Sequence, residues 1–251
     1  MDLDALRRAA AALKTADKVL VCAGSGLSAE SGVPTFRGPG GVFQDADIAR
    51  LTHVDTFHSS HRSEMLHWYQ ARRDLLHKIH PNPGHIALIQ LARQATYTIA
   101  TQNVDHLLEA ASDEVGFRPE IIHLHGSLLE VRCDDCDYCT EDLALDLSAE
   151  PTCDRCSGPL RPGVVWFGEA LPEGALERSV QAAEDCDVCL ILGTSGLVYP
   201  AAALPETARR HGATLIEVNP NPSALSDLCQ VLIRETTGEA LPRLFDLVQD
   251  S

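Results

Sequence analysis

Short runs of consecutive apolar residues alternate along the chain with segments in which apolar residues recur every three or four positions. The runs are typical of strands buried on both faces of a parallel sheet, and the periodic segments are typical of amphipathic helices. The predicted strands lie at residues 18–23, 96–100, 120–124, 187–192, 214–218 and 231–233. At least five strands that alternate with helices predict an α/β fold with a doubly wound parallel sheet.

Polar residues directly follow several of these strands. They form the clusters Gly24–Gly26, Gln102–Asp105, His125–Ser127, Gly193–Ser195, Asn219 and Thr236–Gly238. The carboxyl ends of parallel strands meet at one edge of a sheet, and open α/β sheets bind their ligands there. We therefore expect these clusters to share one crevice.

The first cluster resembles a phosphate-binding turn. Gly24 and Gly26 allow a tight turn, and Ala29 stands where a third small residue of a dinucleotide-binding turn belongs. The amides of a following helix would then point at a pyrophosphate. The alternative is an ordinary strand-to-helix turn that needs glycine for a positive φ. Residues 42–47 have a loop pattern where a second strand would end in an acidic residue, so the ribose must be recognised elsewhere.

Charge and hydropathy exclude several classes of protein. The 251 residues carry a formal net charge of −16, which argues against nonspecific nucleic-acid binding because phosphate contacts need clustered Lys and Arg. The apolar runs are too short to span a membrane, and residues 1–16 have the pattern of an amphipathic helix and not of a secretory signal. We expect a cytoplasmic protein without nucleic-acid or membrane partners.

Four of the nine cysteines form two Cys-x-x-Cys pairs with 16 residues between them. Cys133 with Cys136 and Cys153 with Cys156 have the spacing of a zinc ribbon, in which each pair binds one side of a tetrahedral ion. Cys136 and Cys139 also have the Cys-x-x-Cys spacing, so the sequence leaves open which of these two pairs supplies the first two zinc ligands. A site closed by four thiolates has no position for water, so its zinc is predicted to be structural. The remaining four cysteines, in or beside apolar runs, are interpreted as core residues.

The whole segment Gly24–Arg37 closely resembles the signature of the sirtuins, the NAD-dependent protein lysine deacylases. Ser25, Leu27 and Val33 are its only departures from that fourteen-residue pattern. The resemblance extends in the family's order from Lys18 to about Pro242, and it favours Cys133 as the first zinc ligand because this residue follows Val131-Arg132.

The resemblance implies that NAD is the cosubstrate and that one structural zinc ion is bound. Asn219 would supply the ribose recognition that is missing after Gly24, and Phe36 would shield the reaction intermediate. A departure follows Asp105, because His106-Leu107-Leu108 replaces the family's usual Gly-Leu-His. The implied NAD-binding residues are Gly24, Ser25, Gly26, Glu30, Thr35, Phe36, Arg37, Gln102, Asn103, Val104, Asp105, Gly193, Thr194, Ser195, Asn219 and Thr237.

His125 is the candidate general base, since a histidine at a strand end can accept a proton at physiological pH. Strand periodicity does not separate it from His123, two residues earlier. His125-Gly126 matches the family's catalytic His-Gly pair. The implied mechanism is attack of the acyl-lysine carbonyl oxygen on C1′ of the NAD ribose. Nicotinamide leaves, His125 accepts a ribose proton, and water finally releases lysine and O-acyl-ADP-ribose.

Two features concern the acyl-lysine substrate. Val164, Phe167 and Gly168 lie in one of two segments between which the family holds a peptide as an added strand, and the other segment is 196–199. Tyr69 and Arg72 are three apart on the helix predicted over residues 55–79 and so share a face. A Tyr-x-x-Arg pair resembles the mark of the branch of sirtuins that removes succinyl and malonyl groups. The alternative is a solvated pair in which an arginine meets Glu64 or Asp74.

The sequence thus predicts an enzyme with two modules. A Rossmann-like NAD-binding domain would comprise residues 1–37, 86–127 and 165–251, and a small helical and zinc-binding module residues 38–85 and 128–164. The substrates would be proteins or peptides with acylated lysines, and we expect a monomer. The alternatives are a protein mono-ADP-ribosyltransferase and a noncatalytic sensor of NAD or ADP-ribose.

Overall fold

A computed structural model describes residues 2–36, 41 and 45–250. Its main element is a parallel six-stranded sheet with the strand order β3-β2-β1-β7-β8-β9, which confirms the predicted doubly wound fold. The strands are β1 (Lys18–Ala23), β2 (Thr96–Thr101), β3 (Glu120–His123), β7 (Val188–Leu192), β8 (Thr214–Val218) and β9 (Val231–Ile233).

One face of this sheet is covered by α1 (Leu3–Thr15), α5 (Pro83–Leu91), α6 (Leu107–Val115) and α9 (Thr237–Gln249), and the other face by α7 (Ala175–Asp185) and α8 (Leu204–Arg210). Three further helices, α2 (Ala46–Arg50), α3 (Val54–Phe57) and α4 (Arg62–Leu76), precede α5 in the chain. Side chains alternate along β1, so that Val19 and Val21 pack in the core with α1, α5, α6 and α9, whereas Leu20 and Cys22 pack in the core with α7 and α8. This alternation explains why the strand is apolar without interruption.

A second, antiparallel sheet has the order β5-β4-β6, with β4 at Gly126–Cys133, β5 at Cys139–Thr140 and β6 at Leu160–Val164. It shares a third core with α4, in which Leu66 and Tyr69 lie near Val131 and Trp166. The helix α4 and the antiparallel sheet, except for Gly126 and Ser127 at the start of β4, fall within the residues predicted for the small module. The division of the chain into two domains with the predicted bounds stays a prediction.

The strand order reverses between β1 and β7, which are neighbours in the sheet. Each strand ends in a glycine turn, at Gly24 and at Gly193. A reversal of this kind opens a crevice outside the carboxyl ends of the strands, which is where doubly wound folds bind ligands. The fold therefore brings the predicted polar clusters to one edge.

Two predicted elements differ from the structure. The glycine turn after β1 leads into two single 3₁₀ turns, Ser25–Leu27 and Ala29–Ser31, and not into an α-helix. The helical pattern at 55–79 is divided between α3 and α4, because the chain turns between His58 and His61. Within the described residues, no helix combines the length and the apolarity that a bilayer crossing requires.

Candidate active site

A cleft of about 900 Å³ opens at the carboxyl edge of the parallel sheet and extends toward the antiparallel sheet. Almost all of the predicted site residues line it. They are Gly24, Ser25, Gly26, Glu30, Thr35, Phe36, Gln102, Asn103, Val104, Gly193, Thr194, Ser195, Asn219 and Thr237 from the predicted cofactor set, His125, and Tyr69, Arg72, Val164, Phe167 and Gly168 from the predicted substrate set. Asp105 instead lines a smaller cavity of about 50 Å³ next to Asn103 and Phe36. The predicted cofactor residue Arg37 lies outside the described residues.

The glycines after β1 are required by a close approach of two chain segments. A Cβ atom on Gly24 would lie 2.7 Å from the Cβ of Thr194, and one on Gly26 would lie 2.6 Å from the Cα of Gly193. Gly24 itself has a φ of −124°, so the alternative explanation by positive φ does not apply to it. The Gly26 amide donates to the Gly193 carbonyl oxygen over 2.8 Å and so is already satisfied. The turn after β1 is thereby fastened to the turn after β7.

A buried polar network supports the loop after β2. The Asn103 side-chain amide donates to the Ser28 hydroxyl over 3.1 Å, and the Asn103 backbone amide donates to the Thr101 hydroxyl over 3.0 Å. The Ser28 hydroxyl also lies 3.4 Å from Nε2 of His85, a fully buried ring. Burial raises the pKa of Asp105, while hydrogen bonds from the Leu107 amide and Ser28 act in the opposite direction. These contacts fix the orientation of the amide and carboxyl groups behind the cleft.

The two histidines at the end of β3 differ in their partners. Nδ1 of His123 lies 3.2 Å from the Asn103 carbonyl oxygen and its Nε2 lies 2.8 Å from Glu109, so both ring nitrogens are engaged. Burial lowers the pKa of His123, but the hydrogen bond and charge of Glu109 outweigh burial and raise it. Among the described residues His125 has a single hydrogen-bond contact, from Nδ1 to the Gln102 carbonyl oxygen at 3.1 Å, and its ring lines the cleft.

Glu30 binds the amino end of α9, a contact that was not predicted from the sequence. Its carboxylate accepts hydrogen bonds from the Gly238 amide over 2.7 Å and from the Thr236 hydroxyl over 2.9 Å, at the amino end of α9. A negative charge at this position is stabilised by the free amides and the dipole of the helix. The side-chain hydroxyl of Thr237, buried at the same helix end, has no hydrogen-bond partner among the described residues.

A row of polar groups joins three strand ends along the cleft. The Gln102 side chain donates to the Thr194 hydroxyl over 3.1 Å, and the Asn219 side chain donates to the Thr194 carbonyl oxygen over 3.0 Å. The loops after β2, β7 and β8 are therefore held to one another by the side chains predicted to contact a nucleotide. A crevice with convergent polar groups of this kind suits a small polar ligand.

Tyr69 and Arg72 lie together on the cleft side of α4. The Arg72 guanidinium stacks on Trp68, with its central carbon 3.2 Å from the ring centroid, and Nη1 donates to the Trp68 carbonyl oxygen over 3.4 Å. No acidic side chain within the described residues pairs with Arg72. Burial lowers its pKa to about 10, so the guanidinium stays charged at neutral pH. Burial raises the pKa of Tyr69, whose phenol therefore stays protonated.

The alternative that an arginine of this pair meets Glu64 or Asp74 at the surface does not agree with the structure. Glu64 pairs with Arg50 over 2.6 Å, and Asp74 accepts a hydrogen bond from Gln70. The neighbouring Arg73 points away from the cleft and is fully buried, where it donates to backbone carbonyl oxygens that include those of residues 128 and 142. Arg73 therefore stabilises the fold through backbone contacts, whereas Arg72 faces the cleft.

An ion pair between the buried Arg161 and the partly buried Glu169 supports the segment 164–169. Arg161 donates to both carboxylate oxygens of Glu169, at 2.5 and 2.8 Å, and stacks over the ring of Trp166 at 3.4 Å. Glu169 also accepts the backbone amide of Trp166 over 2.8 Å. Neither residue was predicted from the sequence, because nothing in a polar insert marks a buried arginine.

The four predicted zinc ligands lie together. The thiol sulfurs of Cys133, Cys136, Cys153 and Cys156 are all within 4.8 Å of one another, which fits the tetrahedral coordination of one zinc ion by four thiolates. Cys139 lies on β5 outside this group, so the alternative pair of Cys136 with Cys139 is excluded. The backbone amides of Asp135 and Arg155 point at the sulfurs of Cys133 and Cys153 over 3.4 Å, as expected for anionic thiolates.

Comparisons with known proteins agree with this geometry. Residues 24–200 match the family model described as the Sir2 family. An NAD-dependent protein deacylase of Ralstonia nicotianae is 42% identical over 97% of both chains, and NAD-dependent protein deacylase 2 of Pyrobaculum aerophilum is 40% identical over 92% of this chain and 90% of its own.

Solved structures resemble the chain over almost its whole length. An ADP-ribose complex of a mutant Sir2 homologue superposes with a TM-score of 0.90 at 36% identity and covers 99% of this chain and 97% of its own. A Sir2 protein bound to a myristoylated histone peptide has a TM-score of 0.78 at 29% identity, with coverage of 99% and 98%. With its fold, its cleft and its four-cysteine cluster, this chain belongs to the Sir2 family.

Proposed function

We propose that the acyl pocket of this NAD-dependent protein deacylase is built for acyl groups ending in a carboxylate, namely succinyl and malonyl, with acetyl as a further substrate. The single observation that supports this acyl specificity is the Arg72 guanidinium, which faces the cleft without an acidic partner among the described residues. NAD is the cosubstrate, and one zinc ion fits the four-cysteine cluster as a structural metal.

The energetics of a partly buried cation favour this proposal. A guanidinium that is partly removed from water loses hydration that its contacts with Trp68 do not fully replace. An acyl carboxylate would supply the missing charge through a bidentate hydrogen bond, and the protonated phenol of Tyr69 would donate a further one. Acetyl has no group for this contact. Arg72 is therefore not expected to accelerate the removal of an acetyl group from lysine.

The roles of the other cleft residues follow from their contacts. His125 would act as the general base toward a ribose hydroxyl, because the ring lines the cleft, Nδ1 faces a carbonyl oxygen, and Nε2 has no hydrogen-bond partner among the described residues. Gln102, Asn103 and the glycine turn would hold the nicotinamide ribose and the pyrophosphate, and Asn219 would hold the adenosine ribose. The predicted roles of Asp105 and Arg37 in NAD binding are retained as part of this proposal.

The acylated peptide would lie as an added strand between residues 164–168 and 196–199. Leu197 and Tyr199 expose most of their side chains here, at 56% and 67%, and Phe167 is 39% exposed. Exposed apolar groups along a cleft give a peptide apolar contacts, while backbone hydrogen bonds supply affinity without strict sequence preference. The substrates would accordingly be proteins and peptides with acylated lysines.

The test is to incubate the protein with NAD and matched peptides that carry succinyl-, malonyl- or acetyl-lysine, and to identify the products by mass spectrometry. The proposal predicts free lysine, nicotinamide and O-acyl-ADP-ribose, with a higher kcat/KM for succinyl or malonyl than for acetyl. Transfer of ADP-ribose to protein with an intact peptide would indicate an ADP-ribosyltransferase, and NAD binding without turnover would indicate a sensor. Efficient removal of acetyl alone would refute the acyl specificity but not the deacylase activity.

A further inference from the structure

A fully buried carboxylate lies one residue before the end of β8. Glu217 is 0% exposed, and the alternation of the strand places it on the same face as Leu215, toward the core packed with α7 and α8. Ile191 and Leu232 are its neighbours in the adjacent strands. An acidic residue at such a position is costly unless its charge and both of its oxygens have partners. The cleft does not include Glu217, so its charge is not explained by direct contact with NAD.

Within the part of the chain that the structure describes, the partners of this carboxylate all follow β8 in sequence. Arg234 Nη1 and the Ser226 hydroxyl each donate to Oε2 over 2.6 Å, and the Ser223 hydroxyl donates to Oε1. The second guanidinium nitrogen of Arg234 donates to the Ser226 hydroxyl over 3.0 Å. Together these groups satisfy both oxygens and neutralise the charge inside the fold.

The same network determines where one wall of the cleft lies. Residues 219–222 line the cleft directly, and they connect β8 to the 3₁₀ turn that contains Ser226. Arg234 Nη1 also donates to the Asn219 carbonyl oxygen over 3.3 Å, and the Ala224 amide donates to the Ser195 carbonyl oxygen over 3.1 Å. Arg234 and Ser195 thus hold the two ends of the segment that forms this wall of the cleft.

We propose that Glu217 and Arg234 are positioning residues that set the affinity for the adenosine part of NAD without taking part in the chemistry. The inference rests on the proposed contact of Asn219 with the adenosine ribose, and not on the acyl specificity. The adenosine end stays bound while the bonds at the nicotinamide ribose change. Its contacts therefore contribute equally to the ground state and the transition state, and loosening them raises KM for NAD without lowering kcat.

The test is Glu217→Gln, which keeps the size of the side chain but removes its charge. We expect KM for NAD and the Kd for ADP-ribose, measured by calorimetry, to rise by about 10-fold, while kcat and KM for an acetyl-lysine peptide change by less than about 2-fold. The acetyl peptide keeps this test independent of Arg72. A variant that folds and binds ADP-ribose like the wild type would overturn the proposal.

Two further variants separate positioning from a general loss of stability. Val231→Ala removes buried apolar volume from β9, the neighbouring strand, and should lower the Tm without changing KM for NAD. An equal rise of KM in that control would also overturn the proposal. Should Glu217→Gln not fold, Ser226→Ala removes one of the hydrogen bonds to the carboxylate and is expected to weaken ADP-ribose binding by about 3-fold to 10-fold. Unchanged binding in a folded Ser226→Ala would count against it.

Discussion

Nδ1 of His125 lies 3.1 Å from the carbonyl oxygen of Gln102. A carbonyl oxygen only accepts hydrogen bonds, so the proton of the neutral ring must reside on Nδ1 and the lone pair on Nε2. The contact therefore selects the tautomer that a general base needs. His123, with a carbonyl oxygen on one nitrogen and a carboxylate on the other, has no nitrogen left to accept a proton.

Replacing His125 with Phe should reduce turnover by about 100-fold to 10,000-fold, because the ribose hydroxyl loses its base while the glycine turns remain in place. Binding of ADP-ribose, measured by calorimetry, should stay within a few-fold of the wild type. His123→Gln is the matched control, and we expect its kcat/KM to fall by less than about 10-fold. Wild-type activity in His125→Phe, or a larger loss in His123→Gln, would contradict the assignment.

The activity should persist to mildly acidic pH. Burial lowers the pKa of His125 below its usual value of 6.5, and the Gln102 carbonyl oxygen opposes this shift only in part. A lowered pKa keeps the ring neutral and basic to lower pH, so kcat/KM is lost as the pH falls through a value below 6.5. A pH profile of kcat/KM between 5 and 9 measures this limb. An acidic limb centred above 7 would show that another group controls the reaction.

Removal of the metal should act through stability. A structural zinc site contributes folding free energy, so Cys153→Ser or treatment with a strong chelator should lower the Tm and then the activity. Cys139→Ser, which changes a cysteine outside the cluster, is the control and should retain zinc and stability. Elemental analysis should find one zinc ion per chain in the wild type. Full activity in a metal-free preparation would contradict a structural role.

The sequence allowed the doubly wound parallel sheet and the polar clusters at its carboxyl edge to be predicted, because both depend on local patterns. Apolar runs such as Val19–Ala23 are marked by composition alone, and each is followed by polar residues that parallel strands bring to one edge. The four zinc ligands were predictable for a similar reason, since two short spacings define a tetrahedral site.

Contacts between distant residues could not be predicted. The pairing of Glu30 with the amino end of α9 joins positions 208 residues apart, and that of Arg161 with Glu169 depends on how β6 turns into the cleft. The need for glycine at position 26 arises from Gly193, which lies far along the chain, and not from a local positive φ. Glu217 did leave a signal, because an acidic residue in an otherwise apolar strand demands a buried partner.

The most direct test of the account compares Arg72→Met with the wild type on succinyl-lysine and acetyl-lysine versions of one peptide. Loss of a hydrogen bond to a charged group should lower kcat/KM for the succinyl peptide by about 10-fold to 150-fold, while kcat/KM for the acetyl peptide changes by less than about 3-fold or rises. Arg62→Met removes the same charge from the same helix outside the cleft and should leave the ratio of the two values unchanged. An equal fall for both peptides, or undiminished desuccinylation, would contradict the proposed role of Arg72.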